Sequence, residues 1–157
     1  MVTQQITDLA EIVADVEERI TTTVWCTMAT ADRAGRPRTR IVHPVWELDA
    51  GAAVGWLGTR TGTPKLRHLE ANPWASLLYW DPRHQQVSID VAVTVHTDDA
   101  TCERVWALMA SHPEPYGFDP TPMWPDGATG AGFTVLRFDP MRISVFGNPA
   151  RTWSETT

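Results

Sequence analysis

Cysteine is scarce in this chain: Cys26 and Cys102 are the only two among 157 residues. Neither belongs to a Cys-x-x-Cys pair or a Cys/His cluster, so a zinc site is not expected and two half-buried thiols are the plain reading. Long apolar runs are missing too. No stretch could cross a bilayer, and the opening MVTQQITDLAEI has no basic region followed by an apolar one, so a cytoplasmic protein without a membrane partner is expected. Positive charge is in deficit, with 13 Lys and Arg against 19 Asp and Glu and a net charge of −6. That balance argues against a general nucleic-acid binder, whose affinity rests on clustered cations. The familiar catalytic signatures are absent as well: there is no GxxxxGK[ST] loop, no HExxH and no Ser-His-Asp pattern. His43, His68, His84, His96 and His112 lack metal-ligand spacing and read as ordinary surface or half-buried side chains.

What is present is a globular composition, 43% hydrophobic and 20% charged, at the length of one domain over residues 1–157. The basic residues are unevenly placed. Arg33, Arg36, Arg38, Arg40, Arg60, Lys65 and Arg67 fall within a third of the chain, so any anion site is local to it.

Apolar residues at Ile6, Leu9, Val13, Val16 and Ile20 recur at helical spacing, with Asp8 and Glu11 as a candidate capping box. Strands are expected at 24–30 and 38–48 around the turn 31–37, and at 52–59, where Gly55 and Gly58 suit close approach of a backbone or ligand. Pro64 is suited to open a helix that Asn72-Pro73 closes. Strands then follow at 74–80 and 86–96. Asp98 or Asp99 caps a further helix carrying Cys102, Val105, Trp106 and Met109 on one face. Residues 111–132 hold no periodicity and read as a loop, and 133–147 read as two strands around Asp139-Pro140. Six or seven short-linked antiparallel strands with flanking helices predict a mainly β protein, a small barrel whose closure removes exposed edges.

Two constellations could carry chemistry. On the strand RTRIVH, Arg38, Arg40 and Val42 share one face and Thr39, Ile41 and His43 the other. Paired guanidinium groups match a phosphate, and they equally serve as solvated edge charges that blunt aggregation. The run Thr59-Arg60-Thr61-Gly62-Thr63-Pro64-Lys65 joins hydroxyls, a glycine, a helix start and a lysine, which suits an anion or a plain strand-to-helix connection. Eight tryptophans include Trp25, Trp46, Trp56, Trp74 and Trp80 in expected strands, where core packing is the default and a flat ligand or a dimer surface the alternative.

The order of these features, above all Lys65, Leu69, Asn72-Pro73, Leu77 and Tyr79-Trp80, resembles the pyridoxamine 5′-phosphate oxidase-like family of flavin-binding split barrels. The resemblance is strongest over residues 24–95. It implies an antiparallel split barrel of six to seven strands that pairs as a homodimer, with FMN in each interface cleft and hydride transfer to or from a small-molecule substrate. By position, it implies phosphate contacts from Arg38 or Arg40, Thr59, Thr61 and Lys65, with Arg60, Thr61 or Thr63 compensating for Pro64. Thr39 lies between the two arginines, the flavin ring would rest on Trp56, Leu57 and Gly58, and Gln86 would reach it from the neighbouring subunit. The tail GNPARTWSETT departs from the substrate-binding end of the pyridoxamine-phosphate oxidases, which leaves the substrate open. The deazaflavin F420 on the same fold, or a non-catalytic module holding a flavin or haem, are the alternatives.

Overall fold

A computed structural model describes residues 3–147 and 149–155. Its strands are β1 (Thr3–Ile6), β2 (Cys26–Ala31), β3 (Pro37–Val42), β4 (Val45–Leu48), β5 (Ala53–Arg60), β6 (Trp74–Trp80), β7 (Gln86–His96), β8 (Phe133–Val145) and β9 (Ala150–Ser154). The helices are α1 (Val13–Thr23), α2 (Pro64–Ala71) and α3 (Asp99–Ser111), with a 3-10 turn at Leu9–Glu11 before α1.

Hydrogen bonding runs β3-β2-β6-β7-β8, and β8 also pairs with β5, which pairs with β4. Because β3 and β4 are consecutive along the chain, the ring is completed through the backbone at His43-Pro44 rather than through a ladder. This is the split of the barrel. Its interior is filled by the alternate residues of each strand, among them Met28, Val45, Leu77, Ile89, Leu136, Phe138 and Ile143. Val16 and Ile20 of α1 and Val105 and Met109 of α3 are buried in the same cluster.

The expected barrel with flanking helices is the fold observed, and several element boundaries differ. The helical pattern from Ile6 resolves into the end of β1, then the 3-10 turn capped by Asp8, whose side chain accepts from the Ala10 amide, and only then α1. The strand expected over 38–48 divides in two, because Pro44 has no amide hydrogen to give a ladder. The two strands expected around Asp139-Pro140 are one. Val91 faces Pro140 and Asp90 faces Arg142, so Met141 is the extra residue of a bulge that absorbs the proline. Among the described residues there are nine strands rather than six or seven, because β1 and the tail strand β9 pair in parallel and β9 runs antiparallel to β8. Both thiols are more deeply placed than expected, and burial pushes the Cys26 pKa up to about 12.

Candidate functional site

Where β3 breaks and α2 begins, a cavity of ≈ 260 Å³ opens beside the barrel. Three segments wall it. β5 supplies Leu57, the backbone of Gly58 and the buried Thr59; the connection to α2 supplies Arg60, Thr63 and Lys65; the break in the split strand supplies Ile41, Val42 and His43. Trp25 and the loop residues Phe118, Met123 and Trp124 complete the wall. The lining therefore joins the cations and hydroxyls of the Thr59–Lys65 segment to aromatic rings, with Trp25, His43 and Phe118 clustered at the β3–β4 break and Trp124 beside Arg60. Glycine is required at position 58, since a Cβ there would come within 2.7 Å of the Phe133 ring.

Lys65 is the chain's only lysine. It is half-buried one residue inside α2, and it makes no ion pair among the described residues. Its pKa is lowered, first by burial and then by the Arg40 guanidinium nearby. Arg40 also lacks a carboxylate. It donates to the Met28 carbonyl at 3.1 Å and to Thr30 Oγ1 at 2.8 Å, and the same hydroxyl is hydrogen-bonded to His68 Nδ1 at 2.9 Å. Thr63 is the residue that caps α2, yet its hydroxyl makes no capping bond and is buried without a partner among the described residues. Pro64 at the first helical position removes one amide donor, and the uncommitted Thr63 hydroxyl stands beside that gap.

The structure thus gathers Leu57, Gly58, Thr59, Arg60 and Lys65 around one cavity, with Arg40 close behind Lys65. The remaining expected residues stand elsewhere. Arg38 and Thr39 are exposed, and Arg38 bonds only the neighbouring Pro37 carbonyl. Thr61 turns its hydroxyl to Ala131 O and Thr134 Oγ1 and braces the loop. Trp56 is outside the lining: its indole donates to Glu47 Oε2 at 2.7 Å, and the guanidinium groups of Arg104 and Arg137 lie over its ring at 4.9 and 5.7 Å. Gln86 begins β7 opposite Trp80 and does not line this cavity.

Reading the sequence missed His43 and the loop aromatics. His43 is only 8% exposed, and its ring lies 4.9 Å from that of Trp25 and 4.7 Å from that of Phe118. Large apolar side chains inside a Pro/Gly-rich stretch were the available signal for Phe118 and Trp124, because such residues must be covered by something. Tryptophan packing also differs from the core default. Trp46, Trp56 and Trp124 are buried, whereas Trp25, Trp74 and Trp80 are more than half exposed.

A sequence profile of the pyridoxamine 5′-phosphate oxidase family matches residues 12–146. The chain belongs to this family. One curated family relative, the dihydrophenazinedicarboxylate synthase of Pseudomonas chlororaphis, is 39% identical over 89 residues. That segment is 55% of this chain and 38% of the relative, so the chain accounts for less than half of the relative's length. Among solved structures, a protein related to general stress protein 26 from Clostridium acetobutylicum superposes with a TM-score of 0.74 at 16% identity, over 92% of this chain and 95% of its own. A pyridoxamine 5′-phosphate oxidase-related, FMN-binding protein from Nostoc punctiforme gives 0.64 at 17% identity, over 90% and 87%. At such identities the two structures speak for the oxidase-family fold. No described helix is long and apolar enough to cross a membrane.

Proposed function

We propose that the chain is an FMN-dependent oxidoreductase that works on a small-molecule substrate as a homodimer. The observation that carries this reading is a cavity lined by Lys65, the unpartnered Thr63 hydroxyl and aromatic rings, with Arg40 near enough behind Lys65 to lower its pKa. A half-buried lysine at a helix start with an arginine of β3 near it, neither paired with a carboxylate among the described residues, suits a phosphate. The aromatic and aliphatic walls suit a flat ring system. When bound, the flavin supplies hydride transfer, and the chain's own groups bind, orient and keep water from it.

The dimer has independent support. A cavity of ≈ 260 Å³ is at the small end for ligand sites, and a second copy of the chain would add a wall around a flavin. Next to it the outer face of the sheet is apolar and exposed: Ile41 of β3 lies opposite Thr27, which lies opposite Leu78, and Trp74 and Trp80 share the Leu78 face. Such a patch on one sheet face fits a self-complementary interface. Gln86, beside Trp80, would then come to the flavin from the second copy.

A further cavity of ≈ 280 Å³ shares Arg60, Met123 and Trp124 with the first. It would give the longer acidic tail of F420 a course, so F420 is the second reading. Solved structures of this fold include both an FMN-binding protein and an F420 reductase, so they support a flavin-type cofactor without choosing between the two readings, and the phenazine enzyme makes phenazine dicarboxylates the substrates to try first. The test is the absorption spectrum of the purified protein, then titration with each cofactor. Two flavin bands on FMN binding support the proposal, and a single band with F420 preference supports the rival. Binding of neither rejects both.

A further inference from the structure

His43 occupies a place in the cavity that the phosphate argument does not use. Its Nε2 lies 2.7 Å from the Tyr116 carbonyl oxygen. A carbonyl can only accept, so Nε2 carries the hydrogen and donates it. Burial lowers the pKa of His43, against a smaller opposing effect of that bond, so the ring is neutral near pH 7. A neutral imidazole protonated at Nε2 leaves a lone pair on Nδ1. No described residue bonds Nδ1, the one ring nitrogen of His43 not committed to the loop.

The ring's orientation is held on several sides. Trp25 and Phe118 pack against it, and the Tyr116 hydroxyl accepts from the Trp46 amide at 2.6 Å, pinning the loop segment that carries the accepting carbonyl. The result is a fixed acceptor in the wall of the cavity that also carries Arg60, Thr63 and Lys65. Oxidised flavins offer one ring N–H, that of the imide.

We propose that Nδ1 of His43 accepts the imide N–H of the bound flavin and so sets the orientation of the ring, selecting ligands that present a donor there. The inference rests on the flavin reading of the cavity. It also gives the 112–132 loop a purpose, since Tyr116 fixes which nitrogen of His43 faces the ligand.

The test compares FMN with 3-methyl-FMN, in which the donor is replaced by a methyl group, by fluorescence titration at neutral pH. The wild-type protein is expected to bind FMN about 3- to 10-fold more tightly or better, the worth of one hydrogen bond. His43→Leu is expected to lose that preference. His43→Asn, whose Oδ1 overlays Nδ1 as an acceptor although its amide is too short to reach the Tyr116 carbonyl, is expected to restore part of it. Equal affinity of the wild-type protein for the two ligands overturns the proposal and leaves the flavin reading standing. Failure of both ligands to bind overturns the two together. Because the wild-type comparison needs no substitution, a variant that fails to fold does not decide the outcome.

Discussion

Arg40 on β3 and Lys65 on α2 approach one another from different elements, and no carboxylate among the described residues pairs with either. Burial and then the guanidinium hold the lysine below its ordinary pKa range, and burial does the same to Arg40. Like charges kept together out of water are unfavourable unless something negative joins them. On the proposed reading the pair would stabilise a bound anion at a cost to the free protein.

Opposite effects on stability and binding follow for Lys65→Met. The free protein is expected to melt higher, because a half-buried charge beside Arg40 is gone. FMN affinity is expected to fall about 10- to 100-fold, the worth of a charge-assisted hydrogen bond of roughly 1.5–3 kcal/mol. Thermal melts without ligand and flavin titrations read the two signs separately. A variant that binds FMN as well as the wild type would remove Lys65 from the site.

Trp56 illustrates how a residue in a plausible motif position serves the scaffold. Trp56→Phe is expected to lose about 1 kcal/mol of stability with the Glu47 hydrogen bond and the two guanidinium contacts. Its flavin affinity is expected to stay within about twofold of wild type, because the side chain is outside the cavity lining. Denaturant melts and titration measure the two. A large loss of affinity with little loss of stability would place the indole at the ligand after all.

The exposed sheet face gives a prediction about assembly. Leu78→Glu puts a charge at the middle of the patch formed with Ile41, Trp74 and Trp80. A monomer with unchanged far-ultraviolet circular dichroism and weakened FMN binding is expected, read by light scattering coupled to size exclusion. A wild-type protein that is already monomeric at high concentration would contradict the interface.

His43 sets a pH dependence of the free protein. Its pKa is depressed in the folded state, so the folded protein binds fewer protons than the unfolded chain between that value and about 6.5. The stability due to neutral His43 is complete above about pH 6.5 and is lost as pH falls through the folded pKa. His43→Asn, which has nothing to protonate, is expected to show a shallower loss of melting temperature below that pH. The cationic Lys65 and Arg60 share the cavity and His112 packs on Tyr116, so the comparison with the variant isolates the His43 contribution. Parallel curves for the two proteins would refute it.

Much of the barrel was legible from local pattern. Strands β6 and β7 begin and end where alternation and the flanking Pro73 and Asp81-Pro82 turn signals put them, and Pro64 opens α2 as its fixed φ suggests. The misjudged places depend on partners that are remote in sequence. Pro44 ends a strand that its neighbours would continue, whereas Pro140 sits inside one because Met141 can bulge opposite Asp90 and Val91. The short strands β1 and β9 have no alternation long enough to detect and exist through each other and the edge of β8. At the site, the motif led to Lys65 and Thr59 but could not decide which strand residues face the cavity. Arg40 approaches Lys65, while Ile41 and His43 line the wall. The contribution of Phe118 and Trp124 comes from a loop with no periodic signal at all.

The central claim is that the cationic lining of this cavity holds the phosphate of a flavin, and the most direct measurement is a paired titration with FMN and phosphate-free riboflavin. The account predicts a two-band flavin spectrum for bound FMN and an affinity at least about tenfold above that for riboflavin. Equal affinities, or no FMN binding by a folded protein, would contradict it.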